Sequence, residues 1–160
     1  MKKLLTTLLT LTLVTLCGCE ITQAGNTLYS FTEKMNSFDH SYNLTEADYI
    51  YNSSDKSATK FYVIDSQTYT LTLDFNEENC INALHIVFDN SHEINPKGMN
   101  FIKNCILAYT ENKNVARKTE EILSENKASY ESITEKIGNT DLIIDVTDIG
   151  TIVSVVQNNL

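Results

Sequence analysis

The side chains in this sequence that could do chemistry are a pair of cysteines, three histidines and the carboxylates near them. Cys80 and Cys105 stand 25 positions apart. In an oxidising compartment a bridge between them would close that loop and contribute about 3 kcal/mol. The alternative is two buried free thiols, since cysteine is often buried and Cys105 falls on an apolar helical stripe. With His85 as base, Cys105 could also be read as a nucleophile, on residue types alone.

His40, His85 and His92, together with Asp39, Asp89 or Glu93, are donors of the kind that zinc or copper accepts. Their spacing fits no tetrahedral site, so no metal site is expected. Asp74-Phe75-Asn76-Glu77-Glu78 opens like an acidic calcium loop, but it lacks the sixth-position glycine and has His85 where the bidentate glutamate should stand. The G-x-S-x-G, H-E-x-x-H, P-loop and G-x-G-x-x-G patterns are absent. The expectation is a protein that is not an enzyme and holds no cofactor.

The first nineteen residues carry a different chemistry. Met1-Lys2-Lys3 is a positive start, and Leu4 to Leu16 is a leucine and threonine run too short for a bilayer, which needs about 20 residues. Leu16-Cys17-Gly18-Cys19 follows, and it resembles the lipobox of bacterial lipoproteins. That resemblance implies that residues 1–19 are a signal peptide, that Cys19 takes a diacylglycerol and becomes the new N-terminus, and that the protein is lipid-anchored on the extracytoplasmic side of a bacterial envelope. Residues 20–26 would be a short tether, reaching roughly 25 Å when extended.

Charge narrows the partners. The formal charge of -9 becomes -11 once Lys2 and Lys3 leave with residues 1–19, which hold no acid. Ten basic residues among twenty-one acidic ones form no phosphate-neutralising patch, so no nucleic-acid partner is expected. Anionic headgroups would repel the domain, which leaves anchoring to the lipid chains. With 42% apolar residues, 27–160 is expected to form a single domain with a real core.

The elements follow from periodicity. Leu28, Phe31, Met35 and Phe38 make one helical stripe capped by Asn26 or Thr27, and it is expected to be core. Tyr49–Tyr51 and Phe61–Ile64 read as short extended pieces around a loop from Asn52 to Lys60. From Thr68 to Phe75 large apolar residues alternate with Thr and Asp, the mark of an antiparallel strand with one wet face. Asn76–Asn79 turns the chain back through Ile81 to Phe88. Asn95-Pro96-Lys97-Gly98 reads as a type I turn, followed by a helix over Phe101 to Glu125 with a weak centre at Thr110–Asn114. Extended pieces are expected at Tyr130–Ile137, Leu142–Val146 and Ile152–Val156.

The hairpin Leu71–Phe75 with Leu84–Val87 echoes Leu142–Val146 with Ile152–Val155, and each follows a helix. The fold class expected is therefore α+β, two-layer: an antiparallel sheet with two main helices on one face, built from a possible tandem helix-then-strands repeat. Its plan resembles that of the outer-membrane assembly lipoproteins and the secreted β-lactamase inhibitor proteins.

Tyr42, Tyr49, Tyr51 and Tyr62 cluster in the first half, where they either fill strand faces or supply a recognition surface. The function expected is a membrane-anchored, non-enzymatic lipoprotein that binds an envelope protein or holds a structural place. The alternative is a small-molecule or metal-binding receptor lipoprotein, weakened because a two-layer domain is expected to lack a cleft of 300 Å³ or more.

Overall fold

A computed structural model describes residues 26–90, 93–125 and 131–158. The signal-like segment with Cys17 and Cys19, His92 and Tyr130 lie outside the described residues. Helix α1 spans Leu28–Phe38, and a 3-10 turn spans Glu46–Asp48. Strands β1 (Ile50–Asn52), β2 (Ser57–Ile64), β3 (Gln67–Phe75) and β4 (Ile81–Phe88) follow, then helices α2 (Pro96–Thr110) and α3 (Lys113–Glu125). Strands β5 (Ser132–Ile137), β6 (Thr140–Val146) and β7 (Thr151–Gln157) complete the chain. The strands form one antiparallel sheet in the order β1-β2-β3-β4-β7-β6-β5, and the α+β class is as expected.

Alternation in β3 decides which face is covered. Tyr69, Leu71, Leu73 and Phe75 are buried, as the period-2 pattern requires, and Leu84, Ile86, Val153, Val155, Leu142 and Ile144 continue that face across the sheet. Helix α2 lies over it, its Phe101 ring 5.5 Å from that of Tyr69. Thr27 caps α1, its hydroxyl accepting from Ser30 N at 3.2 Å. Phe31 and Met35 are fully buried, whereas Phe38, expected in the core, ends the helix with 45% exposure.

The expected second helix is two. Its start is earlier, because Asn95-Pro96-Lys97-Gly98 is a helix cap rather than a free turn: Asn95 Oδ1 accepts from Gly98 N at 2.8 Å and Pro96 takes the first helical position. Its weak centre breaks outright. Glu111 adopts a left-handed conformation (φ 55°), the Thr110 hydroxyl accepts from Asn112 N, and Asn112 Oδ1 accepts from Asn114 N, so side chains take over the backbone bonds of the helix. Strand β2 starts at Ser57, inside the expected loop, because small Ala58 is what fits against Leu73 in the core.

The internal echo survives with a shifted register. In the first meander Leu71 pairs Ile86 and Leu73 pairs Leu84; in the second Leu142 pairs Val155 and Ile144 pairs Val153. Leu84 thus matches Val153 and not Ile152, whose side chain points to the opposite face. Asn26, expected in the tether, is bonded into the domain: its carbonyl accepts from Ile81 N at 2.7 Å and its side-chain amide donates to Ala108 O at 3.2 Å.

Candidate functional site

Among the described residues all three helices cover one face of the sheet, so the opposite face and the sheet edges hold what can meet a partner. One register row crosses that open face through all seven strands: Ile50, Thr59, Thr72, His85, Ser154, Ile143 and Thr134. Its centre is polar and ordered. Thr59 and Thr72 hydroxyls lie 3.1 Å apart. His85 Nδ1 lies 2.8 Å from Ser154 Oγ, and Nε2 lies 3.1 Å from Asp74 Oδ2. An ionised carboxylate only accepts, so Nε2 carries the proton in neutral His85 and Nδ1 accepts from the Ser154 hydroxyl.

Serine, histidine and aspartate in hydrogen-bonded sequence are the parts of an acyl-transfer triad. The surroundings here do not suit one. Ser154 sits in a central strand paired on both sides, so neighbouring N–H groups that would form an oxyanion hole donate to the ladder instead. The trio stands on the open sheet face, with His85 and Asp74 side chains 30% and 41% exposed. The arrangement is a cross-strand polar pair with a diagonal carboxylate.

Apolar side chains flank it. Phe61 and Val63 on β2, Val87 on β4 and Ile50 on β1 are exposed on this face, while Tyr51 is exposed on the helix side, its ring 6.0 Å from that of Phe75. Around the end of β2, on the helix side, an open groove of about 640 Å³ is lined by Phe38, Ser41, Tyr42, Tyr62, Asn100 and Asn104. That volume is within the range of ligand sites, but the feature is an open groove and not an enclosed cleft. The groove forms because the 39–45 segment leaves α1 before the chain reaches β1. Asp39, Asp65 and Lys97 also border it, with Lys97 Nζ 2.9 Å from Asp65 Oδ1.

The other expected site residues do not converge. Cys80 and Cys105 are separate free thiols, against the disulfide reading. Cys80 is half-buried just ahead of β4, where its N–H donates to Asn76 Oδ1, while Cys105 is fully buried in the α2 stripe and burial pushes its thiol well above the usual range. Such a group makes no thiolate nucleophile, and His85 is on the far side of the sheet from the core that encloses it. His40 is exposed in the turn after α1. Among the described residues no group of three or more His, Cys, Asp or Glu could hold a metal ion.

The tyrosines divide. Tyr42 and Tyr62 pack on Phe101 at 6.2 and 4.5 Å between ring centroids, and Tyr49 is buried, so these three build the core margin. Burial raises the Tyr49 and Tyr62 hydroxyls far above their usual range, Tyr62 further through its neighbour Tyr49. Only Tyr51 of the four is outward. Sequence reasoning missed both the Asp74–His85–Ser154 trio and the groove; the polar residues on the wet faces of β3 and β4 were visible, but their meeting with β7 was not. The chain matches no protein-family model, no curated protein and no solved structure.

Proposed function

We propose that this protein is a non-enzymatic lipoprotein of the bacterial envelope, anchored through Cys19, whose acidic α+β domain binds another protein at the membrane surface. The observation that carries the binding reading is the exposure of Phe61, Val63 and Val87 on a sheet face that no helix covers among the described residues. The lipobox-like Leu16-Cys17-Gly18-Cys19 supports the anchor. The paired strands around Ser154 support a non-enzymatic role, because among the described residues the N–H groups beside this Ser-His-Asp constellation are taken up by the ladder.

The open groove favours a second reading, a small-molecule receptor lipoprotein, since Asn100 and Asn104 offer amide donors and acceptors beside the aromatic rings. The test of the anchor is fractionation of cells producing the native chain, Cys19→Ser or Cys17→Ser. Native protein and Cys17→Ser should partition with membranes and carry the lipid, and Cys19→Ser should stay unprocessed or appear soluble. Maturation and lipid labelling of Cys19→Ser would contradict it. Native mass spectrometry of the purified protein distinguishes the receptor reading by a retained small ligand.

A further inference from the structure

We propose that the outer edge of β2, from Lys60 to Ile64, accepts an extended basic segment of another protein as an eighth strand; this rests on the protein-binding reading above. Strand β1 pairs only with Ser57–Thr59, and among the described residues Lys60–Ile64 pairs with β3 alone. Antiparallel bonding alternates along a strand. Phe75 N donates to Lys56 O, and Ile64 and Gln67 flank the two-residue turn Asp65-Ser66, whose φ angles of 48° and 70° are those of a type I′ hairpin. Both facts assign the even-numbered residues of β2 to β3. The N–H and C=O groups of Phe61 and Val63 therefore point outward, and no hydrogen bond to them is made among the described residues.

An unpaired edge of this kind is normally blunted by charge, proline or brevity. The opposite edge follows that rule, since β5 carries Glu135 and Lys136, and on the near side β1 follows it by being three residues long. Phe61-Tyr62-Val63-Ile64 has no charge at all, and Phe61 and Val63 are 59% and 73% exposed. A strand added here would place alternate side chains against Phe61 and Val63 on the open face and the others in the groove beside Tyr62, Phe38 and Tyr42.

Charge selects the occupant. Asp39 and Asp65 border the groove and Asp48 lies near its edge; Lys97 pairs with Asp65 at 2.9 Å and Lys60 with Asp48 at 3.7 Å, so the excess negative charge there is that of Asp39, within a chain of formal charge -9. A second copy paired edge to edge would oppose those carboxylates to their own counterparts. A segment with lysine or arginine among alternating apolar residues meets them with opposite charge.

The test is panning of random nine-residue peptides displayed on phage against the full chain in detergent, followed by fluorescence titration of the best binder. Proline is tolerated on an edge strand where its missing N–H faces solvent, so Val63→Pro should fold and yet lose the added strand. The expected result is a basic, alternating consensus whose affinity falls at least tenfold in Val63→Pro, with the urea midpoint retained, and is kept in Val63→Thr. If Val63→Pro lowers the urea midpoint, Val63→Lys takes its place, with the same loss expected from repulsion of a basic peptide. Binders indifferent to these changes would overturn the edge site while leaving the protein-binding reading standing, and an acidic consensus or no binder would also overturn it. Sedimentation showing a dimer that Val63→Pro dissociates would assign the edge to a second copy and overturn the proposal as well.

Discussion

His85 and Ser154 face each other across β4 and β7, the two strands that join the meanders, with His85 Nδ1 2.8 Å from Ser154 Oγ. They are also counterparts: the registers that match Leu73–Leu84 to Ile144–Val153 match His85 to Ser154. The pair therefore sits where the two halves of the sheet are related by a local twofold, and its bond is the polar contact at the seam. Asp74 on one side extends it, and the matching Asp145 on the other has no histidine to reach, because Ser154 stands in that place.

As a structural pair, His85→Ala and Ser154→Ala should each cost about 0.5–1.5 kcal/mol, the usual net value of a hydrogen bond. The double variant should cost less than the sum of the two, which urea melts of all four proteins would measure. Additive losses would mean the bond contributes nothing to the seam.

The core face of β3 should be far more sensitive than its open face. Leu73 is fully buried, so Leu73→Ala should cost about 2–5 kcal/mol. Thr70 is half-buried on the open face, and Thr70→Ala should stay within roughly 0.5 kcal/mol. Equal destabilisation by the two would mean that the sheet is covered on both sides in the native protein.

Tyr109 ties α2 to the sheet. Its hydroxyl donates to Asn82 O at 2.5 Å and accepts from Gln157 N at 3.1 Å, and burial pushes it up to about 12. The folded state thus holds the neutral phenol more tightly than the unfolded chain does, so this stability is fully present below pH about 10 and is lost as pH rises from about 10 through about 12. Tyr69, raised by burial to about 12, adds a second group in the same window. Alkaline unfolding followed by far-UV circular dichroism should begin there, and Tyr109→Phe should cost about 1–3 kcal/mol at neutral pH by leaving Gln157 N–H unpaired.

The two cysteines should differ sharply toward alkylation. Iodoacetamide applied to native protein at pH 8, read by peptide mass spectrometry, should label Cys80 and spare Cys105 until urea unfolds the chain. A Cys80–Cys105 linked peptide in protein isolated from its native cells without reductant would contradict the free-thiol arrangement.

Much of the fold was legible because it rests on local repetition. Leu71, Leu73 and Phe75 alternate with Thr and Asp, and no other register keeps them dry. The break at Glu111-Asn112 was visible as a run of residues that compete for backbone bonds. Phe38 misled because a helical stripe says which face is apolar but not where the neighbouring element stops covering it. The site was mostly hidden. His85 meets Ser154 across 69 positions of sequence, and which strands become neighbours at the centre of a sheet is decided by long-range pairing. The bare edge of β2 was hidden for a related reason: it depends on β1 beginning only at Ile50, since the register Ile50–Thr59 would set earlier residues against Lys60–Ile64, and there the chain forms the 3-10 turn Glu46–Asp48 instead.

The most direct measurement of the central claim, that this is a binding module working through its uncovered sheet, is photocrosslinking in living cells. A photoreactive residue would replace Phe61, or, as controls far from that edge, Tyr29 or Ile149, both exposed. The account predicts a discrete adduct with an envelope protein from position 61, lost when Val63→Pro is added, and none of comparable yield from 29 or 149. Equal adducts from all three positions, or none from 61 while the protein is present and folded at the membrane, would contradict it.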